Sequence, residues 1–170
     1  SMNKKIHYGQ HELDDNDIQA VLDVLKNSSI TQGQKVEDFG QALADYAGAK
    51  YGVAVSNGTA ALHAGLVLAG VEADDQVIVP ALTLVGTANA VSHLGAVPHL
   101  ADCEGHTPGL DPEKPKAHLT DIAEITDGKC LNKQTGRRIA AVVPVHVFGH
   151  PVDLDPLVAV CEEFGLVLIE

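Results

Sequence analysis

The stretch YGVAVSNGTAALHAGLVLAGVEADDQVIVP, residues 51–80, decides the fold. Tyr51–Val55 is a short apolar run, and Ser56-Asn57-Gly58 carries turn residues. Thr59–Leu68 is rich in Ala and Leu, and Gln76–Val79 is a second apolar run closed by Pro80. Short continuous apolar runs bounded by turn signals read as strands buried on both faces, and the Ala/Leu segment between them as a helix. Strand, helix, strand in that order predicts a parallel sheet covered by helices.

The alternation continues outward. Thr87–Leu94 predicts a helix stopped by Gly95, Val97–Ala101 a third strand and Ala140–Val145 a fourth. Leu154–Phe164 predicts a helix and Leu166–Ile169 a fifth strand. Toward the start, Ile18, Val21, Leu22 and Leu25 share one helical face over about Asp15–Asn27, with Asp14 or Asp15 as cap. Val36, Phe39 and Leu43 mark a second amphipathic helix over about Val36–Tyr46, stopped by Gly48. The expected class is α/β: three layers, a mostly parallel sheet flanked by helices. Residues 1–50 form a helical segment and 51–170 an α/β domain. Cys103–Arg138 is polar and rich in Pro and Gly, so it reads as a loop insertion with local structure at Ala117–Ile125. Glu170 stands directly on an apolar strand without a polar tail, so the chain is expected to stop short of a natural domain end. Ser1-Met2 reads as a cloning remnant.

Composition narrows the function. The 170 residues are 45% hydrophobic, enough for a folded core, and with 4% aromatics and no Trp that core must be Ala, Val, Leu and Ile. A net charge of -12 without a basic stripe argues against nucleic acid or an anionic membrane as partner. Cys103, Cys130 and Cys161 lie too far apart for a disulfide scaffold or a thiolate zinc site, which fits a reducing compartment. No signal-peptide pattern and no membrane-length apolar run is found, so a cytoplasmic location is expected.

The chemistry concentrates at Ser56-Asn57-Gly58-Thr59-Ala60-Ala61-Leu62, where a strand hands over to a helix. Gly58 permits a tight turn, and a helix start carries partial positive charge and unpaired donors, so the N–H groups of Thr59 and Ala60, with the Thr59 hydroxyl, suit a phosphate. The ordinary alternative is an N-capped helix following a strand. His146 and His150 are four apart, but Val-Phe-Gly between them contains no Glu and breaks a helix, so no zincin site is expected. No G-x-G-x-x-G follows a strand, which disfavours a nicotinamide site.

Several segments, in order, resemble the DegT/DnrJ/EryC1/StrS sugar aminotransferases, pyridoxal-phosphate (PLP) enzymes of fold type I. Thr31-Gln-Gly33 and Val36-Glu-Asp-Phe39 resemble the family's N-terminal loop and helix. Val55–Leu62 resembles its phosphate loop, and Val79-Pro-Ala-Leu-Thr83 with Ala88-Asn-Ala-Val91 its ring-covering segment. Pro144–Asp153 resembles the next strand and turn, and Leu168-Ile-Glu170 the point where the family continues with Asp-Ala. The run Gly136–Ala141 with the His-Val-Phe-Gly-His-Pro turn is most similar to the branch making legionaminic-acid-type amino sugars.

The resemblance implies part of the large domain of the aspartate-aminotransferase-like fold. It implies a PLP phosphate on Gly58, Thr59 and Ala60, with Leu84 against the pyridine ring and His146 near the cofactor. It also implies a nucleotide-linked keto-sugar and an amino donor as substrates, in lipopolysaccharide or capsule amino-sugar synthesis, and a homo-oligomer with shared sites. Two positions depart from the family. Leu84 stands where an aromatic residue is usual, so offset stacking is lost, and Gly86 replaces Ala. No lysine from Lys4 to Lys133 sits in the context of the family's cofactor-attaching lysine. An inactive fragment that folds and oligomerises therefore stays open, as does a PLP-dependent sugar dehydratase, in which histidine takes the lysine's place.

Overall fold

The computed structural model describes residues 11–27, 29–103, 105 and 108–170. Ser1-Met2, Lys4 and Lys5 lie outside the described residues. The chain divides into two compact units, residues 1–54 and 55–170. Among the described residues no helix is long and apolar enough to cross a membrane.

In the first unit, α1 spans Asp15–Asn27. Asp14 accepts the N–H groups of Asn16 and Asp17 at 2.8 and 3.0 Å, and the Asp17 carboxylate accepts the Asp14 N–H at 3.0 Å. This reciprocal arrangement is a capping box, which selects Asp14 over Asp15 as the cap. The amide hydrogen bonds, with a further one from the Asn16 side chain, hold the Asp14 carboxyl below its usual range. The second helix, α2, covers Gln34–Ala47 and ends on Gly48 in the left-handed region, φ 65°. A Cβ on Gly52 would lie 2.0 Å from the Gly40 carbonyl oxygen, so only glycine permits this approach of the two backbones.

Tyr51–Val55, expected as a strand, forms none. Its apolar residues carry the pattern of a strand, but a strand is stabilised by a neighbour's ladder, and no strand among the described residues pairs with it. Tyr51 and Val53 are 74% and 80% exposed.

The second unit begins with α3 (Gly58–Leu68). It continues through β1 (Gln76–Pro80), α4 (Val85–Ser92), β2 (Val97–Ala101), α5 (Glu113–Ile122), β3 (Ala123–Thr126) and β4 (Lys129–Asn132). It ends with β5 (Ile139–Val142), α6 (Leu154–Phe164) and β6 (Val167–Leu168). The main sheet has the order β2-β1-β5-β6, and every pair is parallel. Side chains alternate between its faces as a strand's period of two requires. Ile78 and Val142 pack with Leu119 and Ile122 of α5 and Leu157, Val160 and Cys161 of α6. Val77, Val79, Ala141 and Val143 pack with Leu66 of α3 and Ala90 and Val91 of α4. The result is the expected three-layer α/β arrangement.

Residues 108–138 are more ordered than the expected loop. Leu119, Ile122 and Cys130 are buried and hold α5 and the β3–β4 hairpin against the sheet. Pro115 is tolerated because it lies in the first turn of α5. Asp127 and Gly128 have φ of 51° and 74°, the two-residue turn that Asp-Gly favours in hairpins. Beside β1, Asn132 donates to the buried Gln76 side chain at 3.0 Å. Arg138 donates from Nε to Asp75 Oδ1 at 3.0 Å, and from Nη2 to Asp75 Oδ2 and to the Gly70 carbonyl. Those contacts tie the end of the insertion to the loop between α3 and β1.

Candidate functional site

Asn57 is extended, with φ -168°, and its side-chain oxygen accepts the Ala60 N–H at 2.9 Å. The Asn57 carbonyl accepts the Ala61 N–H at 3.1 Å. Asn57 therefore caps α3, and of the two amides expected to face a phosphate, those of Thr59 and Ala60, that of Ala60 is already engaged. The N–H groups of Gly58 and Thr59 have no acceptor among the described residues. A Cβ on Gly58 would meet nothing within 4 Å, so the approach to these amides is open. Beside the turn lies a cleft of about 660 Å³ lined by Asn57, Thr59, Ala60, His63 and His93.

The sheet fixes where this turn sits. A Cβ on Gly86 would lie 2.8 Å from Thr59 Oγ1, so the start of α3 adjoins the start of α4. α4 begins just after Pro80, the carboxyl end of β1. The strand order also matters. From the central β1 and β5, the crossover through α4 runs outward to β2 and that through α6 outward to β6 on the other side. This reversal leaves a crevice outside the carboxyl ends of the strands, where open α/β sheets bind ligands. Glycine at 86 leaves the space that the Thr59 hydroxyl fills.

The two other expected residues follow carboxyl ends of strands. Leu84 precedes the first turn of α4 in an extended conformation and is 83% exposed. The Thr83 and Thr87 hydroxyls, 2.8 Å apart, brace the segment that carries it. His146 lies just past β5. Its Nδ1 accepts the Val152 N–H at 3.0 Å, so the neutral ring carries its proton on Nε2. That nitrogen lies 3.3 Å from Glu170 Oε1, just past β6. The following 3-10 turn, Val147–Gly149, places Phe148 at φ 53°, left-handed and 81% exposed.

Three contributions escaped sequence reasoning: Asn57 as the cap, Glu170 as the partner of His146, and the His63–His93 pair. Their rings lie 6.1 Å apart. His63 Nδ1 is buried and makes no hydrogen bond within the described residues. The signal for His63 was available, because three residues after Ala60 on a helix is the same face. Among the described residues no lysine lines the cleft. Among the described residues no group of three or more His, Cys, Asp or Glu is placed to hold a metal ion.

A family model for the DegT/DnrJ/EryC1/StrS aminotransferase family matches residues 11–170. The chain is 35% identical over 167 residues to GDP-perosamine synthase of Caulobacter vibrioides, covering 98% of this chain and 41% of that protein. The crystal structure of S. venezuelae DesV matches with a TM-score of 0.74 at 30% identity, over 89% of this chain and 36% of that one. Bacillus subtilis ntda, solved with bound cofactor PMP, matches with a TM-score of 0.76 at 28% identity, over 93% and 34%. The chain spans about two-fifths of the length of the curated relatives it matches.

Proposed function

The chain belongs to the DegT/DnrJ/EryC1/StrS aminotransferase family, and from that premise we propose that it supplies the phosphate-holding part of a PLP-dependent transaminase. The reaction moves an amino group from a donor of the glutamate class to a keto carbon of a nucleotide-linked sugar. The observation that carries this reading is the pair of open amides, Gly58 and Thr59, at a helix start that adjoins the segment following the carboxyl end of β1.

The residues present fit the phosphate end of the cofactor. Gly58 and Thr59 donate their N–H groups to the phosphate, and the positive end of α3 favours its charge. The Ala60 amide stays with Asn57 and stiffens the turn. Leu84 offers an exposed apolar surface to the ring without a quadrupole of its own. His146 holds its proton on Nε2, oriented by Val152 and facing Glu170. When bound, PLP supplies the electron sink that amino transfer needs. The lysine that attaches it is not among the residues lining the cleft. Within this chain the assigned role of the turn is to hold the cofactor's phosphate.

Exposed apolar side chains at Val67, Leu68, Leu82 and Val85 support self-association, which light scattering reads directly.

The test is titration of the chain with PLP, followed by phosphorus NMR and calorimetry. PLP is expected to bind in competition with inorganic phosphate, and Thr59→Val is expected to weaken it. Supplying glutamate and a nucleotide-linked keto-sugar is expected to give no amino sugar. Binding that phosphate does not displace would overturn the assignment.

A further inference from the structure

A second histidine pair stands apart from this turn. His99 lies on β2, an outer strand of the sheet, and His118 on α5, nineteen residues further along the chain. Their Nε2 atoms face each other at 2.9 Å, with ring centroids 5.0 Å apart and planes tilted by 48°. One neutral ring donates this hydrogen bond and the other accepts it. His99 is half-buried, whereas His118 is exposed, so solvent reaches the pair from the helix side.

Two metal–nitrogen bonds of about 2.05 Å at a right angle place their nitrogens about 2.9 Å apart, and at the tetrahedral angle about 3.3 Å. The observed separation matches the right-angled bite. Metal–centroid distances of about 3.2 Å put the two ring centres between about 4.5 and 5.2 Å apart over the same range of angles, which brackets the observed value. Only small rotations of the two rings are then needed to turn both lone pairs toward one point.

We propose that His99 and His118 form a two-imidazole site for a divalent transition ion, with water completing the shell. The proton balance is closed. The ring that now donates from Nε2 moves its proton to Nδ1, both Nε2 lone pairs bind the ion, and no proton leaves the neutral pair. The two ligands come from a strand and a helix of one packed unit, so the bite is set before the ion arrives.

The experiment titrates the untagged full chain with nickel chloride at about pH 7.5, where imidazoles are mostly neutral. Calorimetry gives the affinity, and paramagnetic broadening of amide signals locates the ion. Broadening is expected to centre on residues around His99 and His118. Affinity is expected to fall by about tenfold or more in His118→Ala, because chelation becomes single-ligand binding. Adding His99→Ala to that variant is expected to remove the remaining binding at this pair, and with it the broadening centred there. His118 is exposed, so its replacement leaves the fold in place, and circular dichroism checks this. A smaller fall in His118→Ala, or broadening centred on His63 and His93 or on His146 and His150, would overturn the assignment.

Discussion

Replacing Asn57 by aspartate separates the two tasks of the turn. The Asn57 oxygen caps α3 by accepting the Ala60 N–H at 2.9 Å. A carboxylate keeps that acceptor and adds a negative charge at a helix start, which contributes about 0.3–1 kcal/mol in favour of folding. Asn57→Asp should therefore leave the urea midpoint unchanged or raise it. The same charge would sit about 5 Å from a dianionic phosphate held by the Gly58 and Thr59 amides. In the water-like limit their repulsion is about 1.7 kcal/mol, a roughly 17-fold loss of affinity, and more if the cleft wall lowers the effective dielectric. Calorimetric titration with PLP at low and high salt measures it, and the loss should shrink as salt rises. Asn57→Ala is the counterpart. It removes the cap at a cost of about 1 kcal/mol and frees the Ala60 amide, so affinity should hold while stability drops. An Asn57→Asp chain that folds normally and binds PLP as tightly as the parent would refute the placement of the phosphate.

Other expectations concern the frame around the site. Arg138→Met leaves the Asp75 carboxylate, almost fully buried, with the Glu72 N–H as its remaining contact. The cost should be about 2 kcal/mol, below that of a fully buried pair because Arg138 is partly exposed, and Asp75→Asn on top should recover part of it. Equal urea midpoints for Arg138→Met and parent would contradict this. His99 has a folded-state pKa below its unfolded value, so between the two values the unfolded chain binds more protons. Its stabilising share is present at neutral pH and lost as pH falls below about 6.5. His99→Gln should accordingly lose less stability than the parent on acidification, as paired denaturation curves would show. Burial pushes the Cys161 thiol up to about 11 and raises that of Cys130. At about pH 8, a disulfide reagent should therefore titrate Cys103 in the native chain and all three cysteines after unfolding. Fast native labelling of Cys161 would contradict its burial on the sheet-facing side of α6.

The sequence by itself determined the helices other than α5 and the three-layer class, because each rests on local spacing. Leu154–Phe164 and Asp15–Asn27 were legible to the residue, since apolar side chains recur at helical period between a capping residue and a stop. The start of α3 was legible too, from Asn-Gly-Thr ahead of an Ala/Leu run. The Asp127-Gly128 hairpin could have been read, because its turn signal is local, but the surrounding prolines obscured it. Tertiary structure alone decided the rest. Strand character in Tyr51–Val55 depends on a neighbouring ladder that no local pattern reveals. Which amides at the turn stay open depends on where the Asn57 side chain points. The pairing of His146 with Glu170, of His99 with His118, and of Gly86 with Thr59 joins residues distant in the chain. Such contacts depend on how strands and helices are stacked in space, and residue spacing carries no record of that.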